Sequence, residues 1–406
     1  MKMFRIVISV FIFCVLGQHV LSQSLANSFS VANANNNFSV DIYRMLAVKD
    51  GVTPTNLFLS PISISSALAM AYLGARGDTA NEMAKTLHWD EVPAQQLHTA
   101  MKMFLGNLNH LNGGENKLLT ANKLFVQQGL QTSQFTREIL KFYGVNATQV
   151  DYKNNPGAAR NLVNDWVEQQ TGNKIRNIIP EGGFDTTTKL VLVNAIYFKG
   201  FWQHVFDKKK THKAPFTNSH GKKVDVQMMT QVGDFNIHFN IKLKLKAIEL
   251  PYKDQKCSIF IILPQESNGL PNLEKALTVE LVKRIIAETR KASLKGIHVT
   301  IPKFSITKSF ELSAVLKSLG AIKMFSNEAD FSGITQTEKL QVSQVIHKAF
   351  VEVSEEGTIA AAATVVQMGR MASPQFVADH PFMFLIIENN ANSILFMGRF
   401  VNPMDG

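Results

Sequence analysis

One long connection near the C-terminus constrains the fold of this chain more than any other feature. It runs from Gly357 to Pro381 between two apolar segments that have the pattern of strands. Connections of this length are uncommon in compact domains and are usually functional. No charged residue occurs from Thr358 to Gly369, so the first half of the connection is not composed like a surface loop.

The alternation along that first half fits a buried strand. The even positions from 358 to 368 are Thr, Ala, Ala, Thr, Val and Met, and a strand directs alternate side chains to one face. The segment then ends in Arg370-Met371-Ala372-Ser373, which is typical of an exposed, cleavable loop. A helix over Ala360 to Ala363 is the alternative, because alanine is the best helix former. A stretch that suits both an exposed loop and a central strand predicts a protein with two states.

The N-terminus has the pattern of a secretory signal peptide over residues 1–22. Lys2 and Arg5 precede an apolar run from residue 6 to residue 16, and Val20 and Ser22 have the spacing of a cleavage site. That run is too short to cross a membrane, and no later segment is apolar over about 18 residues. We therefore expect secretion, a single mature domain over 23–406, and no association with membranes.

A secreted chain without disulfides needs a large core. Cys14 lies in the signal peptide, so the mature chain keeps only Cys257, which opens an apolar run and is expected to be buried and inert. Helical spacing over 60–74 and 158–171, followed by apolar runs at 190–198, 258–263, 382–387 and 394–400, predicts an α+β fold on one large sheet. Asn37 and Asn146 begin possible N-glycosylation sequons.

The net charge of +10 indicates surface patches rather than a nucleic-acid partner, which a secreted chain is not expected to meet. The basic residues occur as Lys208–Lys210 with His212 and Lys213, as alternating lysines over 242–246, and as a group on or just after a helical pattern. That last group comprises Lys283, Arg284, Arg290, Lys291 and Lys295. It is either solvated surface or a site for a heparin-like polysaccharide.

Catalytic and metal-binding motifs are missing from the sequence. It contains no G-x-S-x-G, H-E-x-x-H, P-loop or C-x-x-C pattern, and the S-x-x-K match at Ser305 has no partner motifs. We expect neither an enzyme, nor a metal site, nor a required cofactor, and we expect a monomer.

Several motifs, occurring in family order, resemble the serpin family. They are Asn56-Leu-Phe-Leu-Ser60-Pro-Ile-Ser63, Leu192-Val-Asn194-Ala-Ile-Tyr-Phe-Lys-Gly-Phe-Trp202, His347-Lys-Ala-Phe-Val-Glu-Val353, Asp379-His-Pro-Phe382 and Phe396-Met-Gly-Arg399. The resemblance implies about nine helices around three β-sheets, a main sheet that can accept a further strand, and an exposed reactive-centre loop at about 357–381.

The same resemblance assigns residues to sites. The hinge of the loop comprises Glu355, Glu356, Gly357, Thr358, Ala360, Ala361, Ala362 and Ala363. The polar cluster beneath the opening of the sheet, called the shutter, comprises Ser60, Ser63, Asn194 and His347. Trp202 matches the breach, where the loop starts to enter the sheet. Ile359 departs from the family, which usually has glutamate there, and is expected to face outward after insertion.

The resemblance implies a suicide-substrate inhibitor of serine proteases that traps the acyl-enzyme when its cleaved loop enters the main sheet. The family's usual count from Gly357 places the reactive bond between Met371 and Ala372, which predicts elastase-like or chymotrypsin-like targets. Similarity to the bait of neuroserpin places it between Arg370 and Met371, which predicts trypsin-like targets. The alternative function is that of a non-inhibitory serpin acting as a carrier or chaperone, although the small, alanine-rich hinge favours inhibition.

Overall fold

The computed structural model describes residues 28–48, 54–90, 92–108, 111, 115–356 and 374–405. The predicted signal peptide at 1–22, the hinge residues Gly357, Thr358 and Ala360–Ala363, and both candidate bonds at Arg370, Met371 and Ala372 lie outside the described residues.

Nine α-helices occur within the described ranges. They are α1 (28–48), α2 (Pro61–Tyr72), α3 (Gly77–Thr86), α4 (Ala94–Leu108), α5 (Ser133–Tyr143), α6 (Pro156–Gln170), α7 (Leu270–Lys275), α8 (Val279–Lys291) and α9 (Ser313–Ser318). The predicted start of α2 is confirmed, because Pro61 occupies the first turn after Ser60, where its missing N–H costs no hydrogen bond. Residues 61–71 of α2 are all buried, so this helix lies inside the molecule.

Fourteen strands occur within the same ranges. They are β1 (Leu57–Leu59), β2 (Lys117–Gln127), β3 (Thr148–Val150), β4 (Leu190–Lys199), β5 (His212–Thr217), β6 (Lys223–Asn240), β7 (Leu245–Pro251), β8 (Cys257–Pro264), β9 (Ser293–Pro302), β10 (Phe304–Glu311), β11 (Gln344–Val353), β12 (Gln375–Val377), β13 (Phe382–Glu388) and β14 (Ser393–Phe400). The four apolar runs predicted as strands become β4, β8, β13 and β14.

The main sheet has five strands in the order β10-β11-β4-β2-β3. Its central pair, β11 and β4, is parallel and in register from Gln344 opposite Val191 to Glu352 opposite Lys199. Because β4 is buried on both faces, its sequence from Leu190 to Phe198 does not alternate and is apolar except at Asn194.

The remaining strands form a hydrogen-bonded array in the order β1-β14-β13-β8-β7-β6-β9-β12, with β5 paired to β6. Strand β6 pairs with β5 and β9 along its first part and with β7 from Asn236 onward. The two smaller sheets implied by the resemblance therefore share β6.

The core between these sheets is apolar and closely packed. The ring of Phe58 on β1 stacks on Phe384 and Phe396 of the neighbouring strands, with centroids 5.9 and 5.1 Å away. Cys257 is buried there, as predicted, and this burial raises the pKa of its thiol to about 12, which disfavours the reactive thiolate. Within the described ranges, no helix combines the length and apolarity needed to cross a bilayer.

The two sequons differ in their surroundings. Asn146 is exposed between α5 and β3, where a glycan can be accommodated. Asn37 lies within α1, and the Ser39 side chain of its sequon is fully buried and donates to the Asn35 carbonyl oxygen at 2.6 Å. The Asn37 side chain itself is half-buried, so its sequon is less accessible in the folded protein than that of Asn146, and glycosylation at Asn37 stays a prediction.

Candidate functional site

The structure brings the four predicted shutter residues together with a fifth, Asn122. Strand register places His347 of β11 opposite Asn194 of β4, and Asn194 opposite Asn122 of β2, so the three side chains form one row across the main sheet. Ser60 and Ser63 reach this row from the start of α2. The sequence analysis missed Asn122, because only strand register relates it to the others.

The hydrogen bonds of this row run in one direction. The Ser60 backbone N–H donates to His347 Nε2 at 3.1 Å, so that nitrogen carries no proton and the imidazole proton lies on Nδ1. His347 Nδ1 then donates to Asn194 Oδ1, and the Asn194 amide donates to Ser63 Oγ and Asn122 Oδ1. The chain of bonds therefore ties β11, β4, β2 and α2 together.

The shutter is neutral. His347 is fully buried, and this burial lowers the pKa of its imidazole to about 3. Ser60 Oγ donates to the Leu395 carbonyl oxygen at 2.8 Å, so it is not paired with the imidazole as a nucleophile would be. This arrangement can hold the sheet closed but cannot perform covalent chemistry.

Trp202 lies at the end of the main sheet from which the long connection departs. Its backbone N–H donates to the Glu356 carbonyl oxygen at 3.1 Å, and its indole Nε1 donates to the Ser354 carbonyl oxygen at 2.6 Å. Its ring stacks on Tyr252 with centroids 4.7 Å apart. The indole therefore fixes the backbone immediately before Gly357.

The two hinge glutamates are held by lysines. Glu355 is buried, accepts from Thr211 Oγ1 at 2.9 Å and forms an ion pair with Lys303 at 2.9 Å. Burial raises the pKa of Glu355, but the bonds from Lys303 and Thr211 outweigh it and leave the pKa lowered. Glu356 forms an ion pair with Lys199 at 2.7 Å, and the hydrogen bond from that lysine lowers the pKa of Glu356.

These lysines were not identified from the sequence. Lys199 belongs to the motif that ends at Trp202, but nothing in that motif indicates its partners, which are Glu356 and Glu352. Lys303 follows β9 and is far from Glu355 along the chain, so no local sequence pattern predicts their ion pair.

The connection re-enters the described structure at Pro374. The His298 backbone N–H donates to the Pro374 carbonyl oxygen at 3.1 Å, and β12 then pairs in parallel with β9. Because Lys303 follows β9 and pairs with Glu355, both flanks of the connection are attached to the β9 region.

The predicted polysaccharide residues separate into two groups. Lys283, Arg284, Lys291 and Lys295 are exposed on α8 and the start of β9. Arg290 instead forms an ion pair with the buried Glu249 at 3.1 Å and lies over the Phe260 ring. The Arg290 guanidinium therefore already has partners within the fold, and its part in a polyanion site stays a prediction. Among the described residues, no group of three or more His, Cys, Asp or Glu side chains could hold a metal ion.

Comparison with known proteins relates this geometry to a family. A family model described as "Serpin (serine protease inhibitor)" matches residues 33–403. The chain is 38% identical over 396 residues to Serpin B4 of Homo sapiens, which covers 92% of this chain and 100% of that protein. It is 40% identical over 381 residues to the leukocyte elastase inhibitor of Sus scrofa, covering 91% and 98%.

A solved structure agrees with the fold. The crystal structure of uncleaved ovalbumin superposes with a TM-score of 0.84 at 30% identity, covering 92% of this chain and 100% of that one. The family description is that of protease inhibitors, not of catalysts, and it supports inhibition of serine proteases. On the extent of these matches, the chain belongs to the serpin family.

Proposed function

We propose that this chain is a secreted suicide-substrate inhibitor of serine proteases, which traps the acyl-enzyme by inserting residues 358–368 into the main sheet. The protease forms its ester with the residue before the cut bond, and the new N-terminus leaves as the amine. The freed segment then moves between β11 and β4 and carries the enzyme with it.

One observation carries this proposal: β11 and β4 are parallel neighbours, and the connection leaves β11 beside Trp202. A segment that turned back along β11 would run antiparallel to both strands. Insertion would therefore replace one parallel ladder with two antiparallel ladders, which are slightly more stable per residue.

Strand register supports the same geometry. If Ser354–Gly357 form the turn, Thr358 lies opposite Val353 and each even position of the segment lies opposite an odd position of β11. The odd positions from Val345 to Val353 are all buried, and Ile346 is the one buried even position between them, so the small, uncharged even set faces the core.

This register also places Thr364 opposite His347. Insertion separates His347 from Asn194, and the Thr364 hydroxyl can accept from His347 Nδ1 while donating to Asn194 Oδ1. The buried row would then keep its hydrogen bonds in both states. Burying the six core-facing side chains contributes on the order of 10 kcal/mol, so the uncut fold is a kinetic trap.

For the reactive bond we propose Met371–Ala372 and an elastase-like target. The relatives named leukocyte elastase inhibitor support this choice over Arg370–Met371. Secretion is supported by the signal-peptide pattern, which precedes residue 33, where the family match begins. The exposed Lys283, Arg284, Lys291 and Lys295 support a heparin-like polysaccharide as an optional cofactor, which inhibition rates unchanged by heparin would exclude.

The test is incubation with a panel of elastase-like, chymotrypsin-like and trypsin-like enzymes. Inhibition should leave an SDS-resistant adduct and release residues 372–406 if the bond is Met371–Ala372, or 371–406 if it is Arg370–Met371. A carrier or chaperone would be nicked without forming an adduct, and that result would refute the proposal.

A further inference from the structure

We propose that Lys208, Lys209, Lys210 and Lys213 form a docking surface for a target protease whose active-site cleft has an acidic rim. This lysine patch lies beside the start of the reactive-centre loop, and its role rests on the proposed function. It would set which proteases associate fastest, whereas the bait residue sets which bond they cut.

The patch is attached to the residues that precede the loop. Lys208–Lys210 form a short 3₁₀ turn. The hydroxyl of the next residue, Thr211, donates a hydrogen bond to the Glu355 carboxylate. The charge of Lys208 adds to the larger effect of Lys199 in lowering the pKa of Glu356. The patch therefore lies next to the point where the reactive-centre loop leaves the scaffold, on a surface that a protease bound to the loop can reach.

The four lysines are exposed and lack acidic partners. No carboxylate of a described residue lies within ion-pair distance of any of them, whereas Lys199 and Lys303, close by, are both paired with glutamates. The nearby Asp207 carboxylate instead accepts from the Lys209 backbone N–H. Because the patch is not neutralised, its field extends into the solvent where a partner approaches.

The loop itself cannot provide this attraction on its N-terminal side. No charge occurs from Thr358 to Gly369, and Arg370 is the first charged residue. Long-range orientation of an incoming enzyme must then come from the scaffold. Complementary charge can raise association rates by about 10- to 1000-fold, and the Debye length of about 8 Å at physiological salt restricts the effect to groups near the contact.

The experiment measures the second-order rate of adduct formation with pancreatic elastase or trypsin, whichever forms the adduct. Each enzyme is used before and after succinylation of its surface lysines, which makes the same enzyme more acidic. The test variant is K208Q/K209Q/K210Q. The matched control is K85Q/K153Q/K339Q, which removes three exposed lysines elsewhere on the molecule and gives the same net charge.

At about 0.01 M salt we expect succinylation to accelerate the wild type and the control about tenfold, and to leave the test variant unchanged. At about 1 M salt all three proteins should react alike, with the same yield of adduct. Equal responses of the two triple variants would overturn the docking surface and leave inhibition intact.

Two further outcomes are decisive. If K208Q/K209Q/K210Q reacts more slowly than the wild type only when heparin is added, the patch binds a polysaccharide and the assignment to a protease is overturned. If the wild type forms no adduct with any enzyme of the panel, the proposed function fails and the docking surface fails with it.

Discussion

The neutral imidazole of His347 predicts an acid sensitivity that can be traced to one side chain. The Ser60 N–H points at Nε2, so protonation would place two donors against each other in a fully buried site. The substitution His347→Gln removes the titrating group while keeping one donor and one acceptor. We expect this variant to lose part of the acid sensitivity of the wild type.

The size of the effect follows from linkage. An unfolded histidine has a pKa of about 6.5, and burial lowers the pKa of His347 to about 3. Between these values the unfolded state holds a proton that the native state lacks, so stability falls as the pH falls, by about 1.4 kcal/mol per pH unit. Acidification from pH 6.5 to about pH 5 should therefore cost about 2 kcal/mol through this residue.

The assay compares the free energy of the urea transition at about pH 7 and about pH 5, with the same incubation time. His98→Gln provides a parallel test of the same linkage, because burial also lowers the pKa of His98, to about 4, and gives a similar slope. Each variant should lose about 2 kcal/mol less than the wild type on acidification. If His347→Gln shows the full wild-type drop, or if NMR shows His347 titrating near pH 6.5, the reasoning is refuted.

Three further predictions concern the loop and its flanks. Glu355→Lys should destabilise the native protein by about 1–3 kcal/mol, since it breaks the ion pair between the buried Glu355 and the half-exposed Lys303, and adding Lys303→Glu should restore part of this in thermal melts; no recovery would contradict the pairing. Thr364→Val should reduce the rise in melting temperature after loop cleavage without changing the intact protein, and an unchanged rise would disprove the register. Burial lowers the pKa of His380, but hydrogen bonds to Asp379 and to the Pro264 carbonyl outweigh it and leave that pKa raised. The stabilisation from His380 should thus be complete below about pH 6.5 and fade as the pH rises through the raised pKa; a profile unaffected by His380→Gln would count against it.

Local patterns predicted two of the helices, four of the strands and four of the residues that meet in the shutter. Mainly apolar runs without alternation identified β4, β8, β13 and β14, because strands buried on both faces need no alternation. Ser60-Pro61 marked the start of α2, because proline is tolerated in a helix mainly within its first turn. The motifs also named four shutter residues, which the structure joins in one network.

Other features depend on which strands become neighbours. The sequence by itself determined the small, uncharged alternation of residues 358–368, since that pattern needs only a period of two. Only the tertiary structure placed Asn122 in the shutter, paired Lys303 with Glu355 and paired Arg290 with the buried Glu249. Contacts between distant segments are set by strand register and by packing of the whole core, and neither leaves a signal within a short stretch of sequence.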